Sequence, residues 1–186
     1  ADFDGDGRAD LSIKLDGGTW RIDYAANGFG QWDRTVLHYG GPGAIPVPAD
    51  YDGDGRADLA VKDLQGVWRV DYAADGFGTW NGQVGGYGGR GYRAVPADYD
   101  GDRRADMAVK DDFAGLWSID YARDGFGRFN VVYAGWGGAN ADPVPADYDG
   151  DGRADLAVKD DSGRWRIDFA ADGFGNVNVS LLGYGD

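Results

Sequence analysis

The sequence predicts an all-β fold, a β-propeller of four repeats that are each about 48 residues long and built of four short strands. Three observations predict it. A nine-residue acidic stretch occurs four times, as DFDGDGRAD (2–10), DYDGDGRAD (50–58), DYDGDRRAD (98–106) and DYDGDGRAD (147–155). Each copy is followed by two short segments of alternating apolar and polar residues with a glycine turn between them. The composition disfavours helix: 34 of 186 residues are glycine, about 18% against a usual ~7%, and every acidic residue is aspartate. Almost no helix is expected. The repeats, at 1–43, 44–91, 92–140 and 141–186, make one domain over 1–186. Four such blades either close on themselves or form a partial propeller that another chain completes.

The second copy shows why each element is assigned. AIPVPAD (44–50) is extended, because its two prolines cannot sit inside a helix. The acidic loop follows. ADLAVKD (57–63) alternates with period two and reads as a strand, with Leu59 and Val61 on one face. After the Gln65-Gly66 turn, WRVDY (68–72) alternates again and should pair antiparallel with it. AADGFG (73–78) is a turn, 79–87 a looser strand, and GYGGRG (86–91) the link to the next copy. In the first copy only Ala1 precedes the acidic loop, so its leading strand is largely missing. Lys62, Arg69 and Asp71 recur as Lys14, Arg21 and Asp23 and as Lys159, Arg166 and Asp168. They are expected to share a charged reverse face and to form cross-strand ion pairs between neighbouring blades.

A net charge of −14 argues against nucleic acid or an anionic membrane as partner, since both demand a basic surface. No apolar run approaches the ~18 residues of a spanning helix, so no membrane insertion is expected. There is no cysteine, hence no disulfide framework and no thiolate metal site. The opening ADFDGDG reads as neither a signal peptide nor a domain start, as in a mature fragment or trimmed chain.

The acidic loops carry the chemistry. Carboxylates at positions 1, 3 and 5 of a tight turn converge on one point with the backbone carbonyl of position 7, the arrangement that wraps a hard cation. The sets are Asp2, Asp4, Asp6, Arg8 and Asp10; Asp50, Asp52, Asp54, Arg56 and Asp58; Asp98, Asp100, Asp102, Arg104 and Asp106; and Asp147, Asp149, Asp151, Arg153 and Asp155. Each arginine is expected to offer its carbonyl and leave its charged end in solvent. Calcium fits best, at one structural ion per repeat. Magnesium keeps more water, and zinc would want histidine or cysteine, of which His38 alone exists. An EF-hand is excluded because position 12 is Ile13, Val61, Val109 or Val158 and the flanks are strands. The plainer reading, a solvated acidic turn, accounts poorly for four copies with glycines in register. Sixteen of the 32 acidic residues lie here, and four divalent ions would bring the formal charge from −14 to −6. The third loop should bind most weakly, because Arg103 replaces the glycine at position 6, where a positive φ is commonly required.

The stretch VPADYDGDGRADLAVKD (47–63) resembles the FG-GAP/VCBS calcium-binding repeat of integrin α-subunits, secreted bacterial proteins and some fungal lectins. The resemblance extends over all four copies. It implies a β-propeller with a calcium loop between the first two strands of each blade, and a secreted or extracellular setting. Such propellers usually have seven blades and this chain has four.

No nucleophile elbow, phosphate loop or histidine triad is present, so no enzyme is expected. The expected function is a non-catalytic, calcium-stabilised module binding carbohydrate multivalently. Trp32, Trp80 and Phe129 follow the GFG turns, and Tyr39, Tyr87, Trp136 and Tyr184 precede the glycine pairs, where flat rings can stack on sugars. The competing role for these rings, and for Trp20, Trp68, Trp117 and Trp165, is packing between blades. The alternative functions are a protein-binding or cell-adhesion scaffold, or the propeller part of a larger secreted protein. The partner is then a glycan or an extracellular protein, and an open sheet edge would also allow a homo-oligomer.

Overall fold

A computed structural model of the chain describes residues 1–139 and 141–184; the repeat boundaries at 140 and 186 lie outside them. The described residues contain fifteen strands and four single 3₁₀ turns, and no helix among them is long and apolar enough to cross a membrane. The chain divides into two compact units, Ala1–Arg90 and Gly91–Asp186. Each unit holds two antiparallel sheets.

In the first unit, β1 (Leu11–Lys14), β2 (Trp20–Asp23) and β3 (Arg34–Val36) form a three-stranded sheet. β4 (Ile45–Pro46), β5 (Leu59–Lys62), β6 (Trp68–Asp71) and β7 (Gly82–Val84) form a four-stranded one in chain order. The second unit repeats the four-stranded pattern twice. Its first sheet is β8 (Tyr92–Ala94), β9 (Met107–Asp111), β10 (Trp117–Asp120) and β11 (Val131–Tyr133). Its second is β12 (Ala141–Pro143), β13 (Leu156–Asp160), β14 (Trp165–Asp168) and β15 (Val179–Leu181). The acidic loops join the first two strands of each four-stranded sheet, as expected. Each of these three loops is pinched shut by one bridge, such as Ala49 to Asp58.

The register corrects the expected charged face. In the β5–β6 ladder Leu59 stands opposite Asp71, Val61 opposite Arg69, and Lys62 opposite Trp68. Partners in an antiparallel ladder project to the same side. Arg69 and Asp71 therefore share a face with Leu59 and Val61, while Lys62 shares the other with Trp68, Val70 and Ala60. The ladders β1–β2 and β13–β14 have the same register. Each sheet is consequently apolar on both sides, which suits a layer with neighbours above and below rather than one washed by solvent.

The sheets of each unit stack accordingly. In the first unit Trp20, Ile22, Val36 and Tyr39 pack onto Ala57, Leu59 and Val61 of the following sheet. In the second unit Trp117, Ile119 and Trp136 pack onto Ala154, Leu156 and Val158. The indole N–H of Trp20 donates to Tyr39 O, and the Tyr39 hydroxyl reaches the carbonyls of Leu59 and Arg69 across the layer at 2.9 and 3.0 Å. One glycine is required by close approach: a side chain on Gly66, at φ +81°, would start 2.5 Å from Gly88 O. Leu59 is fully buried, whereas Leu11, its counterpart in the first repeat, is 54% exposed. Urea denaturation should therefore show Leu59→Ala losing about 2–5 kcal/mol, and Leu11→Ala, at the equivalent site, less than about 0.5 kcal/mol.

Candidate functional site

The loops are organised by their own carboxylates. In the second loop Asp50 accepts Gly53 N–H on Oδ1 at 2.7 Å and Gly55 N–H on Oδ2 at 2.9 Å. Asp52 accepts the Asp54 N–H, and Asp54 the Arg56 N–H. For those amides to turn inward the backbone at Gly53 and Gly55 takes φ +85° and +86°, where a side chain is strained. The other three loops repeat these bonds.

The ninth residue fastens the loop to the body of its sheet. Asp58 is fully buried, accepting Tyr51 N–H on Oδ2 at 2.8 Å and Ala73 N–H on Oδ1 at 2.9 Å. Ala73 opens the 3₁₀ turn after β6, so one carboxylate joins the loop to the far end of the hairpin. Asp106 and Asp155 do the same for Ala122 and Ala170, and Asp10 for Ala25.

The fold thus brings together Asp50, Asp52 and Asp58, Asp98, Asp100 and Asp106, and Asp147, Asp149 and Asp155, with ligand oxygens within 4.8 Å of one another. In the first loop the trio is Asp2, Asp4 and Asp6. These groups can hold a metal ion, and an all-carboxylate donor set suits a hard cation rather than zinc. Burial pushes the Asp58 and Asp106 carboxyls up to about 7, and raises Asp52 and Asp100 as well. Crowded, raised acids are what a divalent cation would relieve.

The arginines at position 7 depart from expectation. Instead of trailing in solvent, each guanidinium folds back onto the carboxylate of position 5, Arg56 reaching Asp54 at 2.6 Å and Arg153 reaching Asp151 at 2.6 Å. Arg8 with Asp6 and Arg104 with Asp102 do likewise. Arg56 also lays its stem over Gly5 of the preceding loop, as Arg153 does over Gly101.

The third loop keeps the shape of the others at a backbone cost. Arg103 takes φ +70°, and its N–H still donates to Asp98 Oδ2 at 2.8 Å. The same loop holds a second cation that the sequence reading missed. Arg123, from the turn after β10, sets its guanidinium 3.1 Å from Asp100 Oδ2, and the Asp100 side chain is almost fully buried. Ala26, Ala74 and Ala171 stand at its place in the other copies.

Several of the residues expected to pair between blades bond within their own repeat, and an ion pair that does cross from one repeat to the next joins Arg93 to Asp142. Lys14 donates to Gly41 O and Lys110 to Gly138 O, each at 3.2 Å, Arg69 pairs with Asp63 of its own hairpin at 3.0 Å, and Asp71 accepts Gly78 N–H. The aromatic candidates divide by exposure. Tyr39, Tyr87 and Trp136 are at most 5% exposed and form part of the packing between or within sheets, so they present no face to a ligand. Trp32, Trp80 and Tyr184 are 46%, 44% and 60% exposed, and Phe129 is half-buried. Trp80 is held on two sides: the edge of Tyr39 meets it with ring centres 5.8 Å apart, and the Arg69 guanidinium lies 4.7 Å over its face. Arg69 is itself fixed by Gln83 and Asp63.

Repeats of this shape have known relatives. Residues 1–61 match the FG-GAP-like repeat family. None of the curated proteins compared with the chain matches it. Among solved structures it is similar to an Agrocybe aegerita lectin described as recognising non-reducing terminal N-acetylglucosamine, with a TM-score of 0.69 at 20% identity. The superposition covers 98% of this chain and 50% of the lectin chain, so the chain spans half of that lectin's length. At that identity the likeness is one of fold.

Arg103→Gly removes left-handed strain of about 1–2 kcal/mol and gives back about 0.4–1 kcal/mol through the looser unfolded chain. A net gain of about 1 kcal/mol is expected in metal-free denaturation. Gly55→Arg, the reverse change in the second loop, should lose about as much.

Proposed function

We propose that this chain is a calcium-stabilised, non-catalytic binding module that works outside the cell and engages glycans at several similar points. The observation that carries the glycan reading is Trp80: a ring nearly half exposed, oriented by Tyr39 and Arg69, beside a glycine turn, with Trp32 and Phe129 at the same place in two other repeats. A flat ring braced by a guanidinium over one face and still nearly half exposed suits the C–H face of a sugar. The shared fold with a lectin for terminal N-acetylglucosamine supports that class of ligand. In the fourth repeat Val177 takes the ring's place, which makes that copy the poorest site. Calcium is the cation proposed for the acidic loops, held by the first, third and ninth aspartates and, in the first loop, by Asp2, Asp4 and Asp6. Bound there, it supplies charge neutralisation that the backbone amides alone provide only in part.

The calcium reading has a signature in pH. Asp58 and Asp106 titrate near 7 in the folded, metal-free chain and near 3.8 when unfolded. Between about 4 and about 7 the folded protein therefore holds protons that the unfolded chain has released. The contribution of these two groups to stability is greatest at the acid end of that window and is lost as pH rises through it. Melting in EDTA should show this fall, Asp58→Asn should lessen it, and millimolar Ca²⁺ should abolish it while raising the midpoint at pH 7.5. An unchanged midpoint with Ca²⁺ would remove the metal from the proposal.

The glycan reading is tested on a surface coated with chains ending in N-acetylglucosamine. Several weak sites on one body should bind that surface roughly 10²–10⁴-fold more tightly than free N-acetylglucosamine. Trp32→Ala with Trp80→Ala should remove most of that gain and leave the Ca²⁺-dependent melting in place. If the double variant binds like the parent, these rings are not the site. Capture of an extracellular protein with no glycan signal would favour the adhesion scaffold instead.

A further inference from the structure

Each unit shows what covers the Leu59 face of a sheet: the Trp-bearing face of the preceding one. The first repeat presents that face with nothing on it. Leu11 and Ile13 are 54% and 40% exposed, while Leu59, Val61, Leu156 and Val158, at the same positions, are at most 1% exposed. Phe29 is 54% exposed. Its counterparts Phe77 and Phe174 reach the preceding repeat, Phe77 meeting Phe3 and Phe174 meeting Tyr133 in T-shaped pairs.

The fourth repeat presents the complementary face. Leu181 is 40% and Tyr184 60% exposed, where Val36 and Tyr39 are 6% and 2%. Tyr148 is 41% exposed against 2% for Tyr51 and 1% for Tyr99. The fixed backbone contact between stacked sheets is also matched. Ala57 N–H donates to Asp2 O, and Ala154 N–H to Asp98 O, each at 2.6 Å. The corresponding donor residue on the first repeat is Ala9, and the corresponding acceptor on the fourth is Asp147. Arginine stems lie over Gly5 and Gly101, yet no atom comes within 4 Å of where a side chain on Gly150 would start.

We propose that the first-repeat face is an interface for a second copy of this chain, which seats its fourth-repeat face on it as one sheet seats on the next within each unit. The contact is heterologous, with two different patches meeting. Each copy carries a formal charge of −14, so the association should strengthen as salt or Ca²⁺ screens it.

Light scattering on the size-excluded protein, from 1 to 200 µM in 0.15 M salt with 2 mM Ca²⁺, tests this without reference to any glycan. Species at twice 19.9 kDa or a higher multiple are expected. Leu11→Asp with Ile13→Asp, and separately Leu181→Asp with Tyr184→Asp, change exposed residues and should each give a folded monomer. Mixing the two variants should restore association, because each supplies the face that the other lacks. A monomer at every concentration would overturn the proposal. So would association that survives either pair of changes, or a mixture that stays monomeric although both variants melt as the parent does.

Discussion

The buried aspartate that ends each acidic loop is the constraint on which the rest of a repeat depends. Asp58 sits at the foot of β5 with no exposure, and its two oxygens accept amides from the loop before β5 and from the turn after β6. A carboxylate in that position is disfavoured as an ion by desolvation, and two N–H donors offset this only in part, so its pKa rises to about 7. The same oxygens stand among those of Asp50 and Asp52. The group that fixes the loop to the sheet is therefore also the group most in need of a neighbouring cation. The fold and the capacity to hold a metal meet in one side chain.

Around that fixed point the sheets are two-faced. Register places Leu59 and Val61 on one side and Trp68 and Val70 on the other, so no sheet can satisfy itself. Stacking buries one apolar side of each neighbour, and at roughly 25 cal/mol per Å² the large rings contribute most of the gain. Polar groups do not escape this packing; they are built into it. Lys110 is fully buried with its ammonium on Gly138 O, and Asp71 holds the turn at Gly78.

A second network supports the turns that carry the exposed rings. Asn81 accepts the Tyr72 N–H and donates to Asp75, bonds that Asn130 and Asn178 repeat with Asp124 and Asp172. In the first repeat the two partners are exchanged: Asp33 accepts from Tyr24 N–H and from Asn27. The amide and the acid trade places while the bonds stay, which shows that the geometry of the turn is what the sequence preserves. Trp32 and Trp80 lie next to these anchored positions, so their exposure is a property of a held loop.

The sequence by itself determined the repeat, the strands and the loop that gathers aspartates, because each of these depends on residues close in the chain. Alternation sets strands, glycine permits positive φ, and the first and third carboxylates of each loop, two residues apart, come together within it. Arg103 at the glycine position was legible for the same reason. The tertiary structure decided what depends on residues brought from afar or on a one-residue choice of register. Periodicity fixes which residues alternate, yet only pairing shows that Lys62 faces Trp68 and not Arg69. Arg123 meets Asp100 through the hairpin that carries it back to the loop. Tyr39 and Trp80 look alike as aromatic residues near glycines, and only stacking buried one and left the other nearly half exposed.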